Sequence, residues 1–354
     1  MTSETRSWRD HPLVQLTLVR YREFFREPEA VFWVFVFPVL LTAGLGIAFR
    51  SQTPERIRVA VVERGPASRD VVQALGGASD ISAEALPEAA AADALRTGRV
   101  SLVVVPAGRG DTVEYRFDAD RPESRTARLL VDDALQRAAG RSDPVGVTER
   151  KVSEPGARYI DFVVPGLLGM NLMGSGIWGL GFAIVDARRK KLLKRLIATP
   201  MSRTQFLASF VLSRLTMLVI EVGVLVGFGA LAFGVPLRGS VVSLLLICVL
   251  SALSFGALGL LIASRARTVE GVSGLMNLVM LPMWIFSGVF FSASRFPEAL
   301  QPFIQALPLT AVIDALRATM LEGAGWVRLA PEVAIIAVWL VGSFLLAVRL
   351  FRWR

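Results

Sequence analysis

One cysteine and one histidine occur among the 354 residues, which excludes an intrachain disulfide and any His- or Cys-rich metal cluster. Cys248 sits inside an apolar run, so no redox compartment follows from it. His11 precedes Pro12 in a polar N-terminal stretch and reads as a surface residue. The chain also lacks a G-x-x-x-x-G-K-S/T phosphate loop, an H-E-x-x-H pair and a G-x-S-x-G elbow. Those motifs place phosphates with Mg²⁺, a zinc ion or a nucleophilic serine. The carboxylates are scattered without a recognisable pairing, and neither repeats nor low-complexity tracts break the sequence. The expectation is a chain with no catalytic residue, no metal site and no cofactor of its own, and therefore no ATP hydrolysis by itself.

Apolar residues are abundant instead. They make up 53% of the sequence against 19% charged, and the mean hydropathy is +0.53. Six runs approach the ~20 residues that an α-helix needs to cross a bilayer. They fall at 30–49, 160–185, 206–233, 241–263, 271–291 and 333–350. The first, AVFWVFVFPVLLTAGLGIAF, is longer than a signal-peptide core and follows the mostly polar residues 1–29, so it reads as an uncleaved anchor.

Short loops orient the spans, because Lys and Arg gather on the cytoplasmic side. Arg6, Arg9, Arg20, Arg22 and Arg26 precede the first span; Arg265 and Arg267 follow the fourth; Arg349, Arg352 and Arg354 close the chain. The connection between spans three and four offers only Arg238. Both termini are expected in the cytoplasm. Residues 51–157 hold 15 Lys and Arg against 17 Asp and Glu, leaving +11 of the net +9 to the remainder. The positive charge is thus a topology signal and not a nucleic-acid footprint.

Residues 50–159 form the one sizeable soluble unit. RIRVAVVE, RVSLVVVP and DTVEYRF read as strands, and SRDVVQALG, PEAAAADALRTG and PESRTARLLVDDALQRAAG as helices. The fold class is therefore membrane all-α, six transmembrane helices with an inserted extracytoplasmic α/β domain.

The segment DARRKKLLKRLIATP, at the start of the 186–204 loop, is the most informative local feature. As a helix it gathers Leu192, Leu193, Leu196 and Ile197 on one side. Arg188, Lys190, Lys191, Lys194 and Arg195 fill the other, and only Arg189 intrudes on the apolar sector. Such a helix lies in the cytoplasmic interface, facing anionic lipid or a partner. Val14, Leu18, Tyr21 and Phe25 mark a second interfacial helix before the first span. In the 292–332 connection, Leu309, Val312, Ile313, Leu316 and Met320 share a stripe, and Asp314 and Arg317 lie at i, i+3 on another face. Pro308 opens that helix, Gly323 can end it, and a preceding segment, FPEALQPFIQAL, is broken by Pro302. The two are read as short helices dipping into the outer leaflet.

Within the spans Glu221 stands out, since an ionisable group in hydrocarbon faces protein or water. It reads as a packing residue, a path-lining group or a proton relay. Arg214 lies two turns earlier, and direct pairing would need bending or a third group. Asn171 and Asn277 read as interhelical hydrogen-bonding groups, and the glycines of the second span as close-packing positions or an oligomer seam.

LKRLIATPMSRTQFLASF (193–210) and LPLTAVIDALRATMLEG (307–323), set in this span arrangement, resemble the permease subunits of type-2 ATP-binding-cassette exporters. The likeness is to the branch with a large extracytoplasmic domain between the first two spans, and it covers nearly the whole chain. Where many members carry an acidic and Gly-Thr pattern, this sequence has Arg189, Lys191 and Leu192, keeping Leu193, Leu196, Thr199 and Pro200. The resemblance implies a multi-pass protein of the bacterial inner membrane with a coupling helix at 186–204. It also implies a second permease subunit in a homo- or heterodimer, and a cytoplasmic ATPase subunit that supplies ATP and Mg²⁺. The cargo would be a lipid, drug, peptide or glycan. Two other readings stay open here: an ion-coupled secondary transporter, and a membrane-anchored extracytoplasmic sensor.

Overall fold

The computed structural model describes residues 12–49, 56–106, 112–142, 156–189, 203–264 and 268–350. The chain divides into two compact units, Ser51–Lys151 and the remainder.

In the smaller unit, β1 (Ile57–Val62), β2 (Ile81–Leu86), β3 (Leu102–Pro106) and β4 (Val113–Arg116) form one sheet in the order β2-β1-β3-β4. β1 pairs parallel with β2, from Ile57 opposite Ile81 to Val62 opposite Leu86, and parallel with β3. β4 returns antiparallel on β3. Helices α3 (Pro66–Gly76), α4 (Glu88–Arg96) and α5 (Pro122–Ala138) complete the unit. Val59, Val61, Leu102 and Val104 pack with Leu75 of α3 and with Ala127 and Val131 of α5. The alternate residues Ala60, Val62, Val103 and Val105 pack with Ala91 and Ala94 of α4. Both faces of β1 and β3 are covered, which is why Val59–Val62 and Leu102–Val105 read as unbroken apolar runs instead of alternating ones.

β2 escaped the sequence reading. ISAEAL carries two alanines and a glutamate, weak strand formers, and only its backbone pairing to β1 makes it a strand. Outside the sheet core, Glu88 hydrogen-bonds Arg116 at 2.9 Å, which holds its carboxyl below the usual range. Burial and a 3.1 Å hydrogen bond to Asp132 push the Tyr115 phenol up to about 12.

Among its described residues the larger unit contains an N-terminal helix, α1 (Pro12–Arg26), and six helices long and apolar enough to cross a membrane. These are α2 (Pro28–Ala48), α6 (Tyr159–Arg189), α7 (Arg203–Phe233), α8 (Val241–Ala263), α9 (Val269–Phe286) and α12 (Trp326–Leu350). The fifth helix stops at Phe286, short of the expected 291, and the sixth starts at Trp326, ahead of 333. Between them lie α10 (Gln301–Ala306) and α11 (Pro308–Arg317), the latter extended by a π-helical turn to Glu322.

Pro302 stands where a 3₁₀ turn, Glu298–Leu300, gives way to α10, a change of helix type without a sharp bend. It occupies the opening turn of α10, where its missing N–H has no helical acceptor to lose. The chain instead bends by 84° at Leu307, where Pro308 starts α11. Leu309, Val312, Ile313, Leu316 and Met320 are all buried. Gly323 ends the helix with φ 69°, a left-handed conformation that costs glycine little.

α6 is the hub, packed against α2, α7, α8, α9 and α11. Its glycines act where backbones meet. A Cβ on Gly166 would lie 2.5 Å from the Val289 carbonyl oxygen, and one on Gly259 of α8 would lie 2.6 Å from the Ile177 carbonyl oxygen of α6. Small residues at such crossings replace the hydrophobic drive that lipid removes. α1 packs along α7, with the Tyr21 hydroxyl hydrogen-bonded to Thr216. Thr17 is buried, whereas Leu18 and Phe25 of the expected stripe are 39% and 57% exposed and so remain free for an apolar phase.

Candidate functional site

Three polar side chains meet inside the apolar bundle. Glu221 is 2% exposed on α7. The Arg214 Nη1 reaches Glu221 Oε1 at 3.3 Å, and Ser175 of α6 donates to Glu221 Oε2 at 3.2 Å. Arg214 Nη2 also donates to the Ser175 hydroxyl. The long arginine stem closes the two-turn gap directly, and Ser175 serves as a third group as well. Both carboxylate oxygens are engaged, so α6 and α7 are tied by a satisfied charge network, the condition under which a buried charge is tolerated. Replacing Glu221 by Leu leaves Arg214 and Ser175 without their acceptor and is expected to destabilise the fold by ~1–3 kcal/mol. Glu221→Gln keeps one acceptor and loses less. Thermal unfolding in detergent checks the order, and equal losses would contradict it.

Asn171 donates from Nδ2 to the Val34 carbonyl at 3.2 Å. Val34 lies in a π-helical turn, Phe32–Val36, within α2. Such turns shift the helical hydrogen-bond ladder and leave carbonyls seeking other donors. Asn277 was expected to bond between helices. It is exposed on α9 and makes no hydrogen bond among the described residues.

A second polar belt, unforeseen apart from Arg317, surrounds the start of α6. Asp161 is fully buried; Arg158 Nη2 and Nε bind its two oxygens at 2.8 and 2.9 Å. Asp161 also accepts the Gly156 and Arg158 backbone N–H groups at 2.8 and 3.1 Å. It thus reaches back from the third helical position as the acid of a capping box does. Arg158 in turn donates to the Phe233 and Gly234 carbonyls at 2.8 and 3.0 Å, capping α7. The Arg-x-x-Asp spacing just ahead of an apolar run was the available signal.

Arg317 completes the belt. It lies 3.6 Å above the Phe162 ring, donates to the Phe162 carbonyl at 3.2 Å and to the Gly288 carbonyl at 2.6 Å. Its approach to Asp314, 3.9 Å, is the weaker contact, and Asp314 is half exposed. The i, i+3 spacing therefore identified the pair but not the role: Arg317 joins α11 to α6 and to the turn after α9. Pro308 opens α11.

The polar sites thus fall into separate groups, and neither Asn277 nor Asn171 joins Glu221. Arg188 lies in the last turn of α6. Its side chain, and Lys190, Lys191, Leu193, Lys194, Arg195, Leu196, Thr199 and Pro200, lie outside the described residues. No group of three or more metal-ligating side chains occurs among the described residues.

Comparison with known proteins gives this arrangement a family. The chain is 24% identical over 349 residues to a protein of Escherichia coli K12 named "Probable multidrug ABC transporter permease YbhS", covering 91% of each. It is 28% identical over 205 residues to "Nodulation protein J" of Bradyrhizobium diazoefficiens, covering 56% of this chain and 76% of that one. "ABC transporter G family member 20" of Dictyostelium discoideum is 27% identical over 218 residues, 61% of this chain but only 30% of that much longer protein. The profile described as "ABC-2 family transporter protein" matches residues 29–349, from the first apolar helix through the sixth. With six apolar helices among its described residues, the chain is a membrane protein that belongs to the ABC-2 family of transporters.

Proposed function

We propose that the chain is the permease subunit of an ATP-binding-cassette exporter, its helices forming the path for a lipid, drug, peptide or glycan. The observation that carries this reading is the family match across all six apolar helices, in a chain without a phosphate loop. The energy then comes from a separate cytoplasmic ATPase holding ATP and Mg²⁺. That subunit docks on the basic 186–204 loop, where Leu193 and Leu196 anchor the contact and Lys191, Lys194 and Arg195 meet carboxylates. A second permease subunit completes the path in the bacterial inner membrane, with surrounding lipid and no nucleic acid involved. Secondary transport would require Glu221 to exchange a proton, and the engagement of both its oxygens by Arg214 and Ser175 favours a structural role.

Both termini and the 186–204 loop are assigned to the cytoplasm, and the α/β unit to the opposite side. In a Cys248→Ala background, single cysteines at Ala92 and Ala187 are expected to react with membrane-impermeant maleimide from opposite sides. Labelling of both from one side would reverse the assignment. The purified chain is expected to show no ATPase activity, since its sequence holds no phosphate loop to position Mg²⁺ and a γ-phosphate. Adding the ATPase that co-purifies with it should give cargo-dependent hydrolysis in proteoliposomes. Sustained hydrolysis by a preparation that mass spectrometry shows to contain this chain alone would overturn the division of labour.

A further inference from the structure

We propose that two copies of this chain join their α/β units edge to edge, β4 pairing antiparallel with β4 of the second copy so that Glu114 of each lies opposite Arg116 of the other. This rests on the dimer assigned above and takes its second subunit as another copy of this chain. β4 closes the sheet order β2-β1-β3-β4 and has β3 as its one neighbour. The Ser101 N–H donates to the Arg58 carbonyl of β1, so Val103 and Val105, which alternate with it, also turn their backbone groups to β1. Leu102, Val104 and Pro106 turn theirs to β4. Val104 opposes Tyr115 and Pro106 opposes Val113, so Val113 and Tyr115 spend their backbone groups on β3. The N–H and C=O groups of Glu114 and Arg116 face the open edge, where they have no partner among the described residues.

An open row of this kind is a template for another strand, and the charges choose the strand. Two copies related by a two-fold axis pair residue i with j and j with i. Centred on Tyr115, that pairing brings outward groups to outward groups, lets Glu114 and Arg116 exchange both backbone hydrogen bonds, and sets opposite charges together twice. A slip of two residues either way sets Glu114 against Glu114 or Arg116 against Arg116, and like charges directly opposite are destabilising. Arg116 spends Nε on Glu114 of its own strand and Nη1 on Glu88. Its Nη2 remains for Glu114 of the second copy, a side chain that is 62% exposed. The other sheet edge, β2, carries Glu84 but no cation. On the opposite face of the sheet, Tyr115 is held by Asp132 of α5. Leu129 lies one helical turn before Asp132 and so stands on the flank of α5 toward β4, 59% exposed. A two-fold axis perpendicular to the sheet keeps both α5 helices on one face, and each Leu129 is then covered from across the seam. A four-residue edge is too short to hold free domains together. Two copies anchored in one membrane assembly meet at a high effective concentration, which makes so short a seam sufficient.

The test uses the full chain with Cys248→Ala, co-expressed with its ATPase and cross-linked in native membranes by a short bismaleimide. Leu129→Cys reports on the seam, and the exposed sites Glu84→Cys on β2 and Asp93→Cys on α4 are the controls. The expected result is a species of doubled mass from Leu129→Cys and from neither control. Glu114→Arg and Arg116→Glu, each added to Leu129→Cys, turn both cross-seam pairs into like charges and are expected to lower that yield about tenfold. Co-expressing the two variants under different tags puts opposite charges back across the seam, and a cross-linked species carrying both tags is expected. Yield unchanged in both reversals would overturn the proposal. So would the absence of the doubly tagged species when both variants melt with the parent chain. Cross-linking from Glu84→Cys alone would move the contact to β2 and reject this seam, and an adduct of Leu129→Cys with another protein would give the edge to a foreign strand. A double mass in native mass spectrometry without a cross-link at Leu129→Cys would keep the dimer and reject the seam. A single-copy mass would reject the dimer itself.

Discussion

Charge reversal of Lys194 and Arg195 to Glu is expected to abolish export and release the ATPase while the permease stays folded. On a lipid-anchoring role alone, the cations of the 186–204 loop act additively at ~1 kcal/mol each. Six apolar helices already hold the chain in the membrane, so two fewer cations would change attachment little. On a docking role, the same residues face carboxylates inside a contact centred on Leu193 and Leu196, where the pairs are buried. Truncating one partner of a buried, hydrogen-bonded charge pair costs about 2–5 kcal/mol of binding, and reversal adds repulsion on top. One such pair corresponds to roughly thirtyfold or more in affinity. Two measurements belong together: co-purification of the ATPase, and thermal unfolding of the detergent-solubilised variant. Loss of the ATPase at unchanged melting temperature is the expected pattern. Unchanged binding with unchanged export would remove the coupling role from this face.

Asp161→Ala is expected to be the most destabilising polar substitution in the helical unit, by about 2–4 kcal/mol. Removing one member of a buried pair leaves the other uncompensated and costs ~3–5 kcal/mol. The value is reduced here because the Arg158 side chain is 35% exposed and water can take over part of its solvation. The loss would spread beyond the pair. Without Asp161, the Gly156 and Arg158 N–H groups lose their acceptor, and Arg158 is no longer aimed at the Phe233 and Gly234 carbonyls that it caps. α6 and α7 would then come apart at the start of α6 and the end of α7, away from the Arg214–Glu221–Ser175 network near their middles. Asp161→Asn should fall between the wild type and Ala, since its one amide oxygen still accepts but its NH₂ group faces donors. A melting temperature of Asp161→Ala equal to that of an exposed-site control such as Asp93→Ala would refute this. Lowered export at wild-type stability would instead assign the pair to transport.

What the sequence determined by itself is whatever period and composition alone decide. Six apolar runs of membrane length can only be satisfied as helices, because backbone groups in hydrocarbon must bond within their own segment. The strands β1 and β3, with their valine-rich runs, and the helix that Pro308 opens were equally legible, since their signals are local. Partnership was decided only in three dimensions. β2 exists because β1 lends it a ladder. Arg317 was paired on paper with Asp314, its neighbour three residues away, but it spends its donors on Phe162 and Gly288, which are distant in sequence. Arg214 and Glu221 needed Ser175 of another helix to complete their network, and Asn171 needed a carbonyl loosened by a π turn in α2. A residue's type shows that it must find a partner. Which partner it finds depends on how the helices cross: the glycines of α6 were legible as close-packing positions, but that Gly166 meets the Val289 backbone and Gly259 of α8 meets that of Ile177 was decided only by the crossing.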